Sequence, residues 1–287
     1  MATLSKSLLS VLFGAIVAAP AFAFPAQVDT IRARALNPAF GQPGSKICLS
    51  WSEGNDPSLA NLKTPHVIGL YDYGVDKPTA ADRLGFDFWP LLWGGDASRL
   101  AAFDSAVTSG LGTIILGFNE PNEAGQSNLD PFTAAALWRQ HIEPKRALGY
   151  KTAAPAVSNA NSGIPWLKSF IQACGGCNFD YVAVHWYDVG FSNMVQYLTT
   201  FHDTFGLPIL LTEFAEEDFN GGTQPTSADV LAFMKQAIPF FDETPWILAA
   251  CPFGFVSGLK GSQAPTALQN ADGTPNALGS LVINDGQ

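Results

Sequence analysis

Apolar and β-rich runs recur along the chain at fairly even intervals, at 47–51, 67–71, 86–92, 113–118, 152–157, 181–187, 209–214 and 247–255. Between several of them lie stretches whose apolar residues follow the three-four rhythm of amphipathic helices, at 97–109, 132–148, 164–173, 194–205 and 227–241. Pro144 interrupts the second of these and predicts a kink, because proline lacks an N–H and crowds the turn before it. The strand-like runs are almost continuously apolar. Strands of that kind are covered on both faces, as in a parallel sheet, and their alternation with helices is the mark of βαβ units. Eight of them favour an α/β fold closed into a single-domain (β/α)8 TIM barrel. An open sheet is disfavoured further by the missing G-x-G-x-x-G turn of dinucleotide folds. No linker, charge run or low-complexity tract divides the chain.

The first residues follow a different pattern. Lys6 precedes an apolar run at 8–19, and Ala21-Phe22-Ala23 is an A-x-A-like cleavage site. That run is shorter than the roughly 20 residues needed to span a bilayer. Residues 1–23 are therefore expected to be a signal peptide, with 24–287 the barrel domain.

Composition sharpens this picture. Hydrophobic residues make up 47% of the chain and charged residues only 14%, against about 25% charged in typical soluble domains. Such a chain can bury a large core. A net charge of −10 argues against nucleic acid or an anionic membrane as partner, since both demand basic patches. Four cysteines in an exported chain allow two disulfides in three pairings. Cys174-Gly-Gly-Cys177 can close a small loop on itself, which leaves Cys48 with Cys251. Those two sit in the first and last strands, which a closed barrel makes neighbours. The C-x-x-C spacing also occurs in redox and zinc sites, but no second Cys/His pair stands near it, so no metal is expected.

In such a barrel the active site lies at the C-terminal ends of the strands. The first strand ends in Trp51 with Glu53 after it, the second in Tyr71-Asp72-Tyr73 and the third in Trp93. Asn119 and Glu120 end the fourth, His185-Trp186-Tyr187 the sixth, Glu213 the seventh, and Phe253 and Phe255 the eighth. Taken singly, each residue has a structural reading: glutamates after strands are usually solvated, aromatics can cap a core, and His185 can be a hydrogen-bonded structural histidine. Glu123, three residues beyond Glu120, is expected to be a solvated turn residue. The gathering of carboxylates, amides and aromatics at one face argues for function. Two carboxylates facing each other across a barrel mouth suit glycosidic cleavage, which needs one acid and one carboxylate beside an oxocarbenium-like carbon. Aromatic faces around them suit the C–H faces of sugar rings.

The ordered segments LGFNEPNEAGQSNL, AAPAVSN, FDYVAVHWYD and ILLTEFA resemble glycoside hydrolase family 128, within the retaining (β/α)8 glycosidases that carry glutamates on strands four and seven. The resemblance runs over most of the chain, from about Trp51 to Phe255. It implies a secreted, retaining endo-β-1,3-glucanase, with association to the cell wall in the manner of the linkage proteins that the family overlaps. Glu120 would be the acid/base and Glu213 the nucleophile. It further implies that Asn119 bonds the sugar 2-hydroxyl, that His185 and Tyr187 line the same subsite, and that the Tyr187 hydroxyl holds the nucleophile. Trp51, Trp93, Trp186, Phe253 and Tyr73 would line or stack on the substrate. The implied partner is β-1,3-glucan, bound by a monomer without cofactor. Other readings of the same residues are hydrolysis of β-1,4 or β-1,6 glycans, a non-catalytic glucan-binding wall protein and, more remotely, a redox protein built on Cys174 and Cys177.

Overall fold

The structure is a computed structural model that describes residues 34–287; the expected signal segment lies outside them. Eight strands follow in order: β1 (Ile47–Ser50), β2 (Val67–Tyr71), β3 (Asp87–Phe88), β4 (Ile114–Leu116), β5 (Lys151–Val157), β6 (Tyr181–Asp188), β7 (Ile209–Glu216) and β8 (Ile247–Pro252). Every strand pairing is parallel, in the order β3-β2-β1-β8-β7-β6-β5-β4. The ring closes between the two outermost strands. Leu91 bridges to Leu116, and the Thr113 and Leu116 amides donate to the carbonyls of Phe88 and Pro90 at 3.2 and 3.0 Å. The single-domain (β/α)8 barrel expected from the sequence is the fold.

The outer layer is uneven. A 3₁₀ turn at Pro57–Leu62 follows β1 where a helix would stand, and a single turn, α1 (Ala81–Leu84), follows β2. Longer helices cover the rest: α2 (Ala97–Ala106), α3 (Pro131–Leu137), α4 (Gly163–Ala173), α5 (Phe191–Phe205), α6 (Ser227–Glu243) and the terminal α7 (Ala277–Ile283). Their starts are encoded locally. Asp96 and Asp130 accept from the first free amides of α2 and α3, and Thr226 forms a reciprocal capping box with Asp229 at α6. The expected kink near Pro144 takes the form of a change of pitch. After Leu137 the chain widens into a π turn (Trp138–Ile142), then tightens into a 3₁₀ segment (Glu143–Leu148) with Pro144 in its first turn, where a missing N–H costs nothing.

Two apolar layers follow from the strand alternation. Cys48, Ile68, Tyr71, Trp89, Leu91, Ile114, Leu116, Leu210 and Cys251 fill the barrel interior, with the small Ala153, Ala156, Ala183 and Ala249 leaving room for the large rings. Ile47, Leu49, Trp51, Leu70, Phe88, Val182, Val184, Trp186 and Phe214 point outward to the helices. Cys48 and Cys251 are joined by a disulfide inside this ring, and Cys174 and Cys177 by another at the end of α4.

The first disulfide closes a loop of 203 positions, the second one of 3. Loop-closure entropy then makes the first worth up to about 5 kcal/mol and the second about 2. Denaturant unfolding of Cys48→Ala/Cys251→Ala should show the larger loss, and equal losses for the two double variants would contradict this account.

Two buried carboxyls tie stability to pH. Burial pushes Asp87, which accepts from Thr113 Oγ1 and Trp89 Nε1, from its ordinary 3.8 up to about 6, and does the same to Asp72. A carboxyl raised on folding favours the fold in its protonated form. Its contribution is full below the unfolded value and is lost as pH rises through the folded one. Melting temperature should therefore increase as pH falls from 7 to 5, and Asp87→Asn should flatten the slope. A wild-type slope of opposite sign would refute the assignment.

Candidate active site

The C-terminal ends of the strands converge on one cleft of about 910 Å³. Beyond β4 the chain passes close to β5 at Gly117, where any Cβ would lie 2.9 Å from the Pro155 nitrogen and from the Trp138 ring. The Asn119 amide then donates to the Trp93 carbonyl at 3.0 Å and the Glu120 amide to Ala156 at 2.7 Å. Between these ties Glu120 takes a left-handed backbone, φ 40°, a conformation that costs a non-glycine residue about 1–3 kcal/mol. Pro121 assists by disfavouring the right-handed helical alternative at the residue before it. The strain turns the Glu120 side chain into the mouth. Glu213 is aimed by a different device. Register shifts in β6 between Val184 and His185, and in β7 between Leu211 and Phe214, break the pairing beside it, as bulges near sites commonly do.

The two glutamates meet around His185. Its Nδ1 lies 2.9 Å from Glu120 Oε1 and 3.5 Å from Glu213 Oε2. One oxygen of each carboxylate and the ring nitrogen all fall within 4.8 Å of one another. Tyr187 donates its hydroxyl to Glu213 Oε2 at 2.6 Å, while the Tyr71 hydroxyl donates to the Thr212 carbonyl at 2.7 Å and lies 3.5 Å from Glu213 Oε1. Burial works against a charged His185, but the Glu213 charge and the bond to Glu120 outweigh it and hold its pKa above the ordinary 6.5. Burial, then the Glu213 charge, push the Tyr187 hydroxyl well above its usual 10, so it remains a donor.

Of the residues expected at the site, Tyr73, Trp93, Asn119, Glu120, Tyr187, Glu213 and Phe253 border the cleft. Trp93 is backed on one face by the Arg99 guanidinium, 3.8 Å from the ring centre, which Asp96 holds in turn at 3.2 Å. Three expectations need correction. Trp51 and Trp186 are buried and do not reach the cleft. The alternation that turns His185 and Tyr187 inward sends Trp186 outward, where it stacks on Phe233 of α6 at 5.4 Å. Trp51 likewise faces the helix layer and donates to the Gly54 carbonyl. His185 does not line the cleft surface: it is only 1% exposed, with its Nδ1 held between the two carboxylates.

Glu123 also departs from expectation. Far from being simply solvated, it borders the cleft and accepts from Ser158 Oγ at 2.5 Å and Asn122 Nδ2 at 2.9 Å. Ser158, Asn159 and Asn161 stand beside it just beyond the end of β5, in a polar run that marks that strand's end in the sequence. Phe219 and Asn220, on the loop after β7, and Gln263, in a 3₁₀ turn at Gly261–Thr266, complete the walls. No periodicity marks these last three.

Among the described residues, the one grouping of His, Cys, Asp and Glu close enough to hold a metal ion is Glu120–His185–Glu213 itself. Its atoms already bond one another and Tyr187, and no grouping of that kind includes the cysteines. A pair of carboxyls set this way, one beside an imidazole and one held by a phenol, can deliver a proton to one atom and meet positive charge at the next.

Known proteins carry the same arrangement of elements. A family described as glycosyl hydrolase catalytic core matches residues 48–281. Alkali-sensitive linkage protein 1 of Schizosaccharomyces pombe is 31% identical over 247 residues, which cover 82% of this chain and 44% of that protein. The chain thus spans less than half the length of that relative. An endo-β-1,3-glucanase of glycoside hydrolase family 128 (subgroup II) from Sorangium cellulosum superposes with a TM-score of 0.71 at 27% identity, over 83% of this chain and 97% of that one. A subgroup I endo-β-1,3-glucanase from Amycolatopsis mediterranei, in complex with laminaripentaose, gives 0.67 at 27% identity over 83% and 98%. The chain belongs to the glycosyl hydrolase catalytic-core family and, within it, to glycoside hydrolase family 128.

Proposed function

We propose that this protein is an exported endo-β-1,3-glucanase that cleaves its substrate with retention of configuration, Glu120 serving as acid/base and Glu213 as nucleophile. The observation that carries the reading is the carboxylate pair at the barrel mouth, with oxygens of the two groups within 4.8 Å. Retaining glycosidases hold their carboxyls about 5–5.5 Å apart, whereas inverting ones leave about 6.5–9.5 Å for a water. The β-1,3-glucan specificity is supported by the activity named for the Sorangium cellulosum enzyme and by the laminaripentaose bound to the Amycolatopsis mediterranei one. Two disulfides fit an oxidising compartment and so support export.

The chemistry follows from the contacts. Tyr187 occupies Glu213 Oε2, so Oε1 is the freer oxygen to attack the anomeric carbon as the glycosidic bond breaks. Glu120 gives its proton to the leaving oxygen and keeps its negative charge beside the His185 ring. In the second half the Glu120 carboxylate takes a proton from water, which attacks the same carbon and releases Glu213. Asn119, buried at the cleft wall beside Glu120, would bond a hydroxyl of the reacting sugar.

Purified protein should release new reducing ends from laminarin and curdlan, and folded protein that releases none from either would refute the reading. Glu120→Gln should lower turnover by about 10²–10⁴-fold, and Glu213→Gln should remove it. Full activity in either variant would remove that residue from its role. With azide and an activated substrate, Glu213→Ala should yield an α-glycosyl azide and Glu120→Ala a β-glycosyl azide. The reverse outcome would exchange the two roles.

A further inference from the structure

The surface does not level off where the cleft ends. Asp188, the last residue of β6, borders the cleft on one side and a second, more open groove of about 450 Å³ on the other. Asn193, Gln196, Tyr197 and Thr200 of α5 complete the lining of that groove. They fall at helical positions i, i+3, i+4 and i+7, so they form one stripe, while Met194, Leu198 and Phe201 are buried on the barrel side of the same helix. The chemistry of the stripe is unusual for a solvated helix face, which ordinarily carries lysine, glutamate and arginine. From Phe191 to Thr200, α5 has no charged side chain. Asn193 and Thr200 are exposed there although both residue types are weak helix formers.

The groove is tied to the cleft wall. The Tyr197 hydroxyl donates to the Ser158 carbonyl at 3.3 Å, and the Ser158 hydroxyl donates in turn to Glu123 in the cleft. Its polar ends are also oriented. Asn193 gives an amide proton to the Val189 carbonyl at 2.7 Å, and Asp188 Oδ1 accepts from the Val189 amide at 2.8 Å, which leaves Oδ2 the freer oxygen. Carboxamides, hydroxyls and one carboxylate, with no cation among them, offer nothing to an anion. They suit a neutral ligand rich in hydroxyls, each of which can both donate and accept.

We propose that the α5 groove is a distal glycan-binding site, which takes the part of a β-1,3-glucan chain that leaves the cleft past Asp188. The inference rests on the glucanase reading above and places glucosyl units outside the barrel mouth, on the helix layer. A long chain is then held at two places on one rigid body. The distal contacts raise affinity for long chains and add nothing for chains too short to reach them.

The test compares Glu120→Gln with Glu120→Gln/Asn193→Ala/Gln196→Ala by calorimetric titration with unbranched β-1,3-linked glucosyl oligomers, from trisaccharide to decasaccharide. Alanine is the best helix former, so the added substitutions keep α5. In Glu120→Gln, affinity should go on rising to the longest oligomer, with a single ligand per protein. The added substitutions should weaken decasaccharide binding about tenfold, the scale of one or two net hydrogen bonds, and leave trisaccharide binding unchanged. An equal loss for both oligomers, or no loss for either, would overturn the proposal. Two trisaccharides bound per protein would also overturn it, since the groove would then hold a separate chain. If Glu120→Gln binds no β-1,3-linked oligomer of any length, the glucanase reading itself fails and the distal site falls with it.

Discussion

Closing a parallel sheet of eight strands into a ring forces β1 against β8, and the mouth of the barrel takes its geometry from that contact. The Ile47–Ala250 pairing and the buried Cys48–Cys251 disulfide hold the seam. Once the ring is closed, alternate residues of each strand must point inward, and the interior has to be filled by side chains of matched size. Here the small alanines of β5, β6 and β8 sit among Tyr71, Trp89 and Leu210. The filled core supports a floor on which Glu120, His185 and Glu213 rest, so the separation of the two carboxylates is a property of the closed ring rather than of a mobile loop.

The floor is not relaxed. Glu120 and Tyr73 both hold left-handed backbones, and the strands on either side of Glu213 break register. Each departure costs stability, and each is fixed by ties to neighbouring strands: Glu120 to Ala156, and the turn at Gly74 to Leu91. Electrostatics adds to this. Two carboxylates so close repel, and the arrangement answers with an imidazole between them and a phenol on Glu213 Oε2. The elevated pKa of His185 reflects that compensation.

Much of this was legible in the chain, for definite reasons. Strands covered on both faces must be nearly continuous in apolar residues, so the eight runs, among them 67–71 and 152–157, stand within a few residues of the observed strands. Barrel closure then makes the Cys48–Cys251 pairing readable, and it puts Glu120, just beyond β4, and Glu213, in the last half of β7, on the same face. What continuous apolarity conceals is which way each residue points. Trp51 and Trp186 read as cleft residues from their place near strand ends, but Trp186 alternates with the inward His185 and Tyr187 and so faces the helix layer. Glu123 reads as solvated because Ser158, which meets it at the cleft, stands 35 positions away in the chain. The short crossovers at Pro57–Leu62 and Ala81–Leu84 carry no helical rhythm to read, and the left-handed turns at Glu120 and Tyr73 are enforced by tertiary ties that no local sequence rule records.

The central claim is that the spacing of Glu120 and Glu213 sets the stereochemistry of the reaction. Proton NMR of the anomeric region, recorded during the first minutes of hydrolysis of a β-1,3-linked glucan oligosaccharide, tests it most directly. The account predicts that the β-anomer of the new reducing end appears first and that the α-anomer follows only by mutarotation. First appearance of the α-anomer would mean that a water stands between sugar and carboxylate, and would contradict it.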